Sequence, residues 1–171
     1  YKKLNYSFRK SLVPVAHVVS FPNVLVVRPD FPAQSLESFI TYIKKSDQPI
    51  YYGSAGNGSS HHLATALLSN MAGADLKHVP YRGGAPAVLA LLSGELQMLV
   101  APLVEVLPYV KSQKLTALAV TTKEPAPLLP NAPPIGSVLH GYDVSLWSGI
   151  FAPAGTPDTV ISTVNAAVRK V

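Results

Sequence analysis

The sequence predicts an α/β fold: a mainly parallel sheet flanked by helices. Three observations carry that prediction. Short β-branched runs alternate with helix-period segments along the chain. Two strand-to-helix junctions are rich in glycine. Of the 171 residues, 48% are hydrophobic and only 13% charged, so there is apolar side chain enough for a packed core and no balance favouring disorder.

The elements follow in order. Residues 23–28, ahead of Pro29, form a β-branched run and are predicted as a strand. Ser35 caps a helix with Leu36, Phe39, Ile40 and Ile43 on one face. A second strand begins at 49–52. Ser59 or Ser60 then caps a helix expected to turn Leu63, Ala66, Leu67 and Met71 inward and to stop at Gly73. Residues 76–79 read as a strand, and Pro86 suits the first turn of a helix that Gly94 ends. A buried strand over 96–100, a helix over about 104–112 and a strand over 115–121 come next. Five prolines between 125 and 134 exclude regular structure from the loop 124–136. A long strand, 143–152, precedes a last helix with Val160, Ile161, Val164 and Val168 on one face. The first 20 residues and this last helix fit the sheet pattern least well.

Composition excludes several chemistries. With no cysteine, disulfides, thiolate zinc sites and Cys nucleophiles are absent. The net charge of +5 suits anionic ligands, but beyond Lys2, Lys3, Arg9 and Lys10 the cations are scattered. A nucleic-acid groove clusters its cations and interleaves aromatics, so no nucleic-acid partner is expected. No apolar run reaches the ~18 residues of a membrane span. The chain opens Tyr1-Lys2-Lys3 without an initiator Met or a leader pattern, and is expected to be a mature product or a piece of something longer.

Two loops could hold a ligand at the carboxyl edge of the sheet, where open α/β sheets bind. The first is Ser54, Ala55, Gly56, Asn57, Gly58, Ser59 and Ser60, following Gly53. Its glycines let backbone N–H groups converge, the next helix adds unpaired N–H groups, and the serines add hydroxyls: a nest for an anion. The alternative is a plain turn with a serine cap. A Walker loop would need Lys at Ser59, and a dinucleotide fingerprint would need Gly at His61, so a carboxylate is the better anion. The second loop, with Tyr81, Arg82, Gly83 and Gly84, offers backbone donors and a bidentate cation, or merely a solvated charge. Catalysis finds little support. Gly-Ser-Ala-Gly lacks the spacing of a hydrolase elbow, and adjacent His61 and His62 cannot pinch one metal. The nine acids show no paired pattern. No metal or cofactor is expected. The rival readings are a serine-dependent hydrolase acting from loop 53–60, and an interaction domain without a small ligand.

The stretches 52–63, 72–73 and 78–86, with 22–27, 115–121 and 147–157, closely resemble the substrate-binding proteins of tripartite tricarboxylate transporters, the Bug-type periplasmic receptors. The resemblance runs in order along nearly the whole chain. It implies one lobe of a Venus-flytrap receptor, periplasmic and not an enzyme, that binds a small di- or tricarboxylate and delivers it to a membrane permease. It implies that residues 1–22 lead from a first lobe, 23–152 form the ligand-binding lobe with crossover strands at 23–28 and 147–152, and 153–171 return toward the first lobe. The family's ligand-facing loop carries over onto residues 54–60 with His62 as the matching histidine, and onto 81–84. The sequence departs from the family's pattern at Ala90, Ala101, Pro134 and Ser137. Family members often have Asp at the position of Ala101, so its absence here implies an unsubstituted carboxylate as ligand.

Overall fold

The computed structural model describes residues 4–170; Lys2 and Lys3 of the N-terminal basic group lie outside it. The chain divides into two units, one made of residues up to Ser20 together with those from Trp147 on, the other of Phe21–Leu146.

The larger unit is a sheet with helices on both faces. Its strands are the second part of β1 (Leu12–Val27), β2 (Ile50–Ser54), β3 (Leu76–Pro80), β4 (Met98–Pro102) and β5 (Thr116–Val120), in the order β3-β2-β4-β1-β5. β2 pairs in parallel with β3 and with β4. β1 runs antiparallel to both β4 and β5. Four strands therefore point one way and β1 alone opposes them, which is the mainly parallel sheet expected. Alternation along β1 sets the two cores. Leu25 and Val27 face one cluster, with α2 (Leu36–Lys45) and α3 (Ser60–Ala72). Val24 and Val26 face the other, with α4 (Gly84–Ser93) and α5 (Leu103–Lys111). Each fully buried Leu or Phe in these clusters, such as Leu68, Leu91 or Phe39, contributes about 1.5–3 kcal/mol.

Local chemistry explains the boundaries. Ser35 and Ser38 form a reciprocal capping box at the start of α2. Gly73 and Gly94 end α3 and α4 in left-handed conformation, at φ 64° and 88°. The cap after α4 also explains why β4 starts later than the sequence suggests: Glu95 and Leu96 donate their N–H groups to Ala90 O and are drawn into the helix end. β1 begins far earlier than residue 23, and stops at Val27 one residue short of the expected 28, before the Arg28-Pro29 step. The loop 124–136 is irregular, apart from isolated bridges and a 3-10 turn beginning at Ile135.

The inward face of α3 differs from expectation. His61, Ala64, Thr65, Leu68 and Ala72 are buried, whereas Leu63 and Leu67 are exposed. Leucines lie on both sides of this helix, so apolar periodicity alone does not set its phase. The small side chains of Ala64 and Ala72 face the core, and on the same face Thr65 Oγ1 donates to His61 O at 2.7 Å.

The smaller unit holds α1 (Phe8–Ser11), the first part of β1, β6 (Ser145–Pro153), which pairs with β1, and α6 (Asp158–Val168). The Asn165 side-chain amide donates to Val15 O at 2.6 Å, tying α6 to β1. No residue of α6 is buried, and Val160 and Val164 are exposed.

Candidate carboxylate site at the carboxyl edge of the sheet

Because β2, β3 and β4 are parallel, the loops that leave them emerge at one edge. Ser54 pairs with Pro80 in register, and Tyr81 N–H donates to Ser54 O at 2.9 Å. A Cβ added to Gly56 would lie 3.6 Å from Tyr81 O. The two loops singled out in the sequence are therefore adjacent.

Loop 54–60 is organised from within. Ser54 is fully buried, and its Oγ lies 2.6 Å from His78 Nε2, donates to Gly56 O and accepts from Gly56 N–H. Ser59 caps α3: its Oγ donates to Gly56 O at 2.7 Å and accepts from His62 N–H. Gly56 and Gly58 have φ of 113° and 81°, which L side chains rarely adopt. The hydroxyls of Ser54 and Ser59 thus shape the loop. What remains for a ligand are the N–H groups of Asn57, Ser60 and His61, which meet no acceptor among the described residues. They sit at the positive end of a 13-residue helix. Ala55 is half-buried and Ser60 begins the helix.

The histidines divide their work. His62 Nδ1 accepts from Gly58 N–H at 3.0 Å, which fixes the turn. Its ring stacks on His78 at 4.1 Å and 6°, and His78 stacks in turn on Tyr52 at 5.0 Å. Tyr52 and His78 are register partners of β2 and β3, so the stack follows from sheet pairing. Burial, and then the charge of His62, hold His78 below the ordinary imidazole range. His61, one residue before His62, points the other way into the interior: its Nε2 lies 3.2 Å from Glu105 Oε2, and its buried Nδ1 has no partner among the described residues.

On the second loop Arg82 is exposed and forms no ion pair with the described residues. Gly83 has φ 129°, and Tyr81 is half-buried, its phenol pushed up by burial. The Glu105 carboxyl, the flexible end of its side chain, lies against Gly84. A Cβ there would come within 2.6 Å of the Glu105 Cδ and 2.7 Å of its Oε1. Sequence reasoning missed His78, His61 and Glu105; only the parallel register and the β4–α5 turn bring them to this edge. A concave region of about 490 Å³ lies instead at the amino end of β5, between Leu115, Thr116 and Leu128. No charged side chain lines it, so it suits an anion poorly.

The sequence profile of the tripartite tricarboxylate transporter family receptor, TctC, matches residues 1–171. The chain belongs to this family. It is 35% identical over 172 residues to a UPF0065 protein from the tcbD-tcbE intergenic region of Pseudomonas sp. (strain P51), covering 99% of this chain and 51% of that protein. An R. palustris protein solved with adipate matches at TM-score 0.92 and 30% identity, covering 98% of this chain and 56% of the other. MatC from Rhodopseudomonas palustris with bound malate matches at TM-score 0.89 and 31% identity, over 98% and 57% of the two chains. The chain spans about half the length of the curated relatives it matches. Among the described residues no helix is long and apolar enough to cross a membrane.

Proposed function

We propose that this TctC-family chain is the second lobe of a two-lobed periplasmic receptor. It binds a small organic carboxylate of the di- or tricarboxylate class, without chemistry, for delivery to a membrane permease of the tripartite tricarboxylate type. In this reading residues 1–22 lead in from the first lobe, 23–152 form the binding lobe and 153–171 return. The observation that carries the reading is the set of unpaired N–H groups of Asn57, Ser60 and His61 at the start of α3, on the sheet edge that loop 81–84 shares. Neutral donors fixed in place suit a carboxylate. The adipate and malate in the related structures are acids of this kind.

A serine hydrolase is the rival that one contact favours, because Ser54 Oγ lies within hydrogen-bond reach of His78 Nε2. Against it, Ser54 is fully buried, and among the described residues no group bonds to His78 Nδ1 as an orienting acid would. Calorimetric titration with succinate, adipate and malate tests the proposal, beside glucose as a neutral control and p-nitrophenyl acetate as an ester. We expect heat from the acids only and no nitrophenolate above background. Turnover of the ester that Ser54→Ala abolishes, or equal heats with glucose, would overturn it.

A further inference from the structure

Glu105 puts a carboxylate beside the starts of α3 and α4. It stands in the first turn of α5, just past the carboxyl end of β4. Its Oε2 reaches His61 Nε2 in the first turn of α3, and its carboxyl group lies against Gly84, the first residue of α4. It therefore bridges the two helix starts at the edge where loops 54–60 and 81–84 meet. The side chain is one-third exposed, and among the described residues Oε1 accepts no hydrogen bond. A ligand carboxylate at the α4 start would meet the like charge of this resident one, which opposes it. A donor would meet an acceptor. His61, 3% exposed with Nδ1 unpartnered, backs the carboxylate from the interior and restrains its position.

The residue at 101 bears on the same question. Ala101 is fully buried in the core with Val24, Leu99 and Val106, and its side chain belongs to that core rather than to the site. The lack of Asp there does not leave the site without an anion, because Glu105, four residues on, supplies one. We propose that Glu105 is a specificity-determining residue, and that the ligand is a carboxylate that also carries a hydrogen-bond donor, a hydroxyl or ammonium group, placed on Glu105. The inference rests on the carboxylate-binding reading above and narrows it.

Amide NMR titration of the whole chain with succinate, malate and aspartate, which share one skeleton, tests it. The wild type is expected to bind malate and aspartate about tenfold or more tighter than succinate, as charge-assisted hydrogen bonds imply. In Glu105→Gln, aspartate should lose its advantage and succinate should bind severalfold tighter, because repulsion is relieved. Glu105→Ala should level all three ligands, and the spectra without ligand report that both variants fold. Succinate binding as tightly as malate and aspartate in the wild type, or an unchanged ranking in both variants, would overturn the role of Glu105 and leave carboxylate binding standing. Absence of shifts with every one of the three acids would overturn carboxylate binding and this inference with it.

Discussion

Ser54→Ala separates a shaping hydroxyl from a reacting one. The Ser54 hydroxyl is fully buried and links His78 Nε2, Gly56 O and Gly56 N–H. Alanine removes all three contacts and leaves the Gly56 N–H and the imidazole nitrogen with reduced partners. One net hydrogen bond plus one orphaned, partly buried group amounts to about 3 kcal/mol. For a chain of this size that lowers Tm by roughly 6–12 °C. Differential scanning calorimetry at neutral pH measures it, and the amide signals of residues 55–60 should broaden or move in the same variant. A nucleophile behaves differently: its removal commonly leaves stability unchanged or raises it, because reactive sites are strained. A Tm within a degree or so of wild type, or higher, would refute the shaping role.

Other perturbations follow from the same geometry. Gly58→Ala adds a methyl into open space but forces φ 81° on an L residue, so it should cost about 1–2 kcal/mol in urea unfolding; a neutral result would show the turn is not held as described. Thr121→Val should cost about 2–4 kcal/mol, because Thr121 Oγ1 accepts from Asn23 N–H and donates to Val144 O in a fully buried position; a loss below one-half kcal/mol would contradict those bonds. His78 sits below its ordinary value, so the fold favours the neutral ring. Its contribution is complete above about pH 6.5 and is lost as pH falls through the lowered value. The Tm of wild type should therefore drop more steeply on acidification than that of His78→Gln, and parallel profiles would count against it.

The sequence carried the fold through local signals. Capping serines 35 and 59, the glycines at 73 and 94 and the proline-rich loop each act within a few residues, so they are legible without tertiary contacts. The two glycine-rich loops were legible for the same reason. The antiparallel course of β1 was not, since direction depends on where the chain enters the sheet. Nor was the phase of α3, where Leu63 and Leu67 compete with Ala64 and Leu68 for the core. His61 and Glu105 are 44 positions apart, and His78 meets Ser54 and Tyr52 only through the β2–β3 register. No spacing rule links such residues; they meet because parallel strands send their carboxyl ends to one edge.

In the proposed function a small carboxylate is held by the backbone at the start of α3. Mapping amide shifts during titration with succinate tests it most directly. A lone lobe leaves the far side of the ligand hydrated, and two or three charge-assisted bonds at roughly 1.5–3 kcal/mol each must offset at least ~4 kcal/mol of association entropy. Binding should therefore be about millimolar or weaker. Shifts should concentrate at Ser54 to Ser60; micromolar affinity, or shifts elsewhere while this loop stays silent, would contradict backbone capture at this helix start.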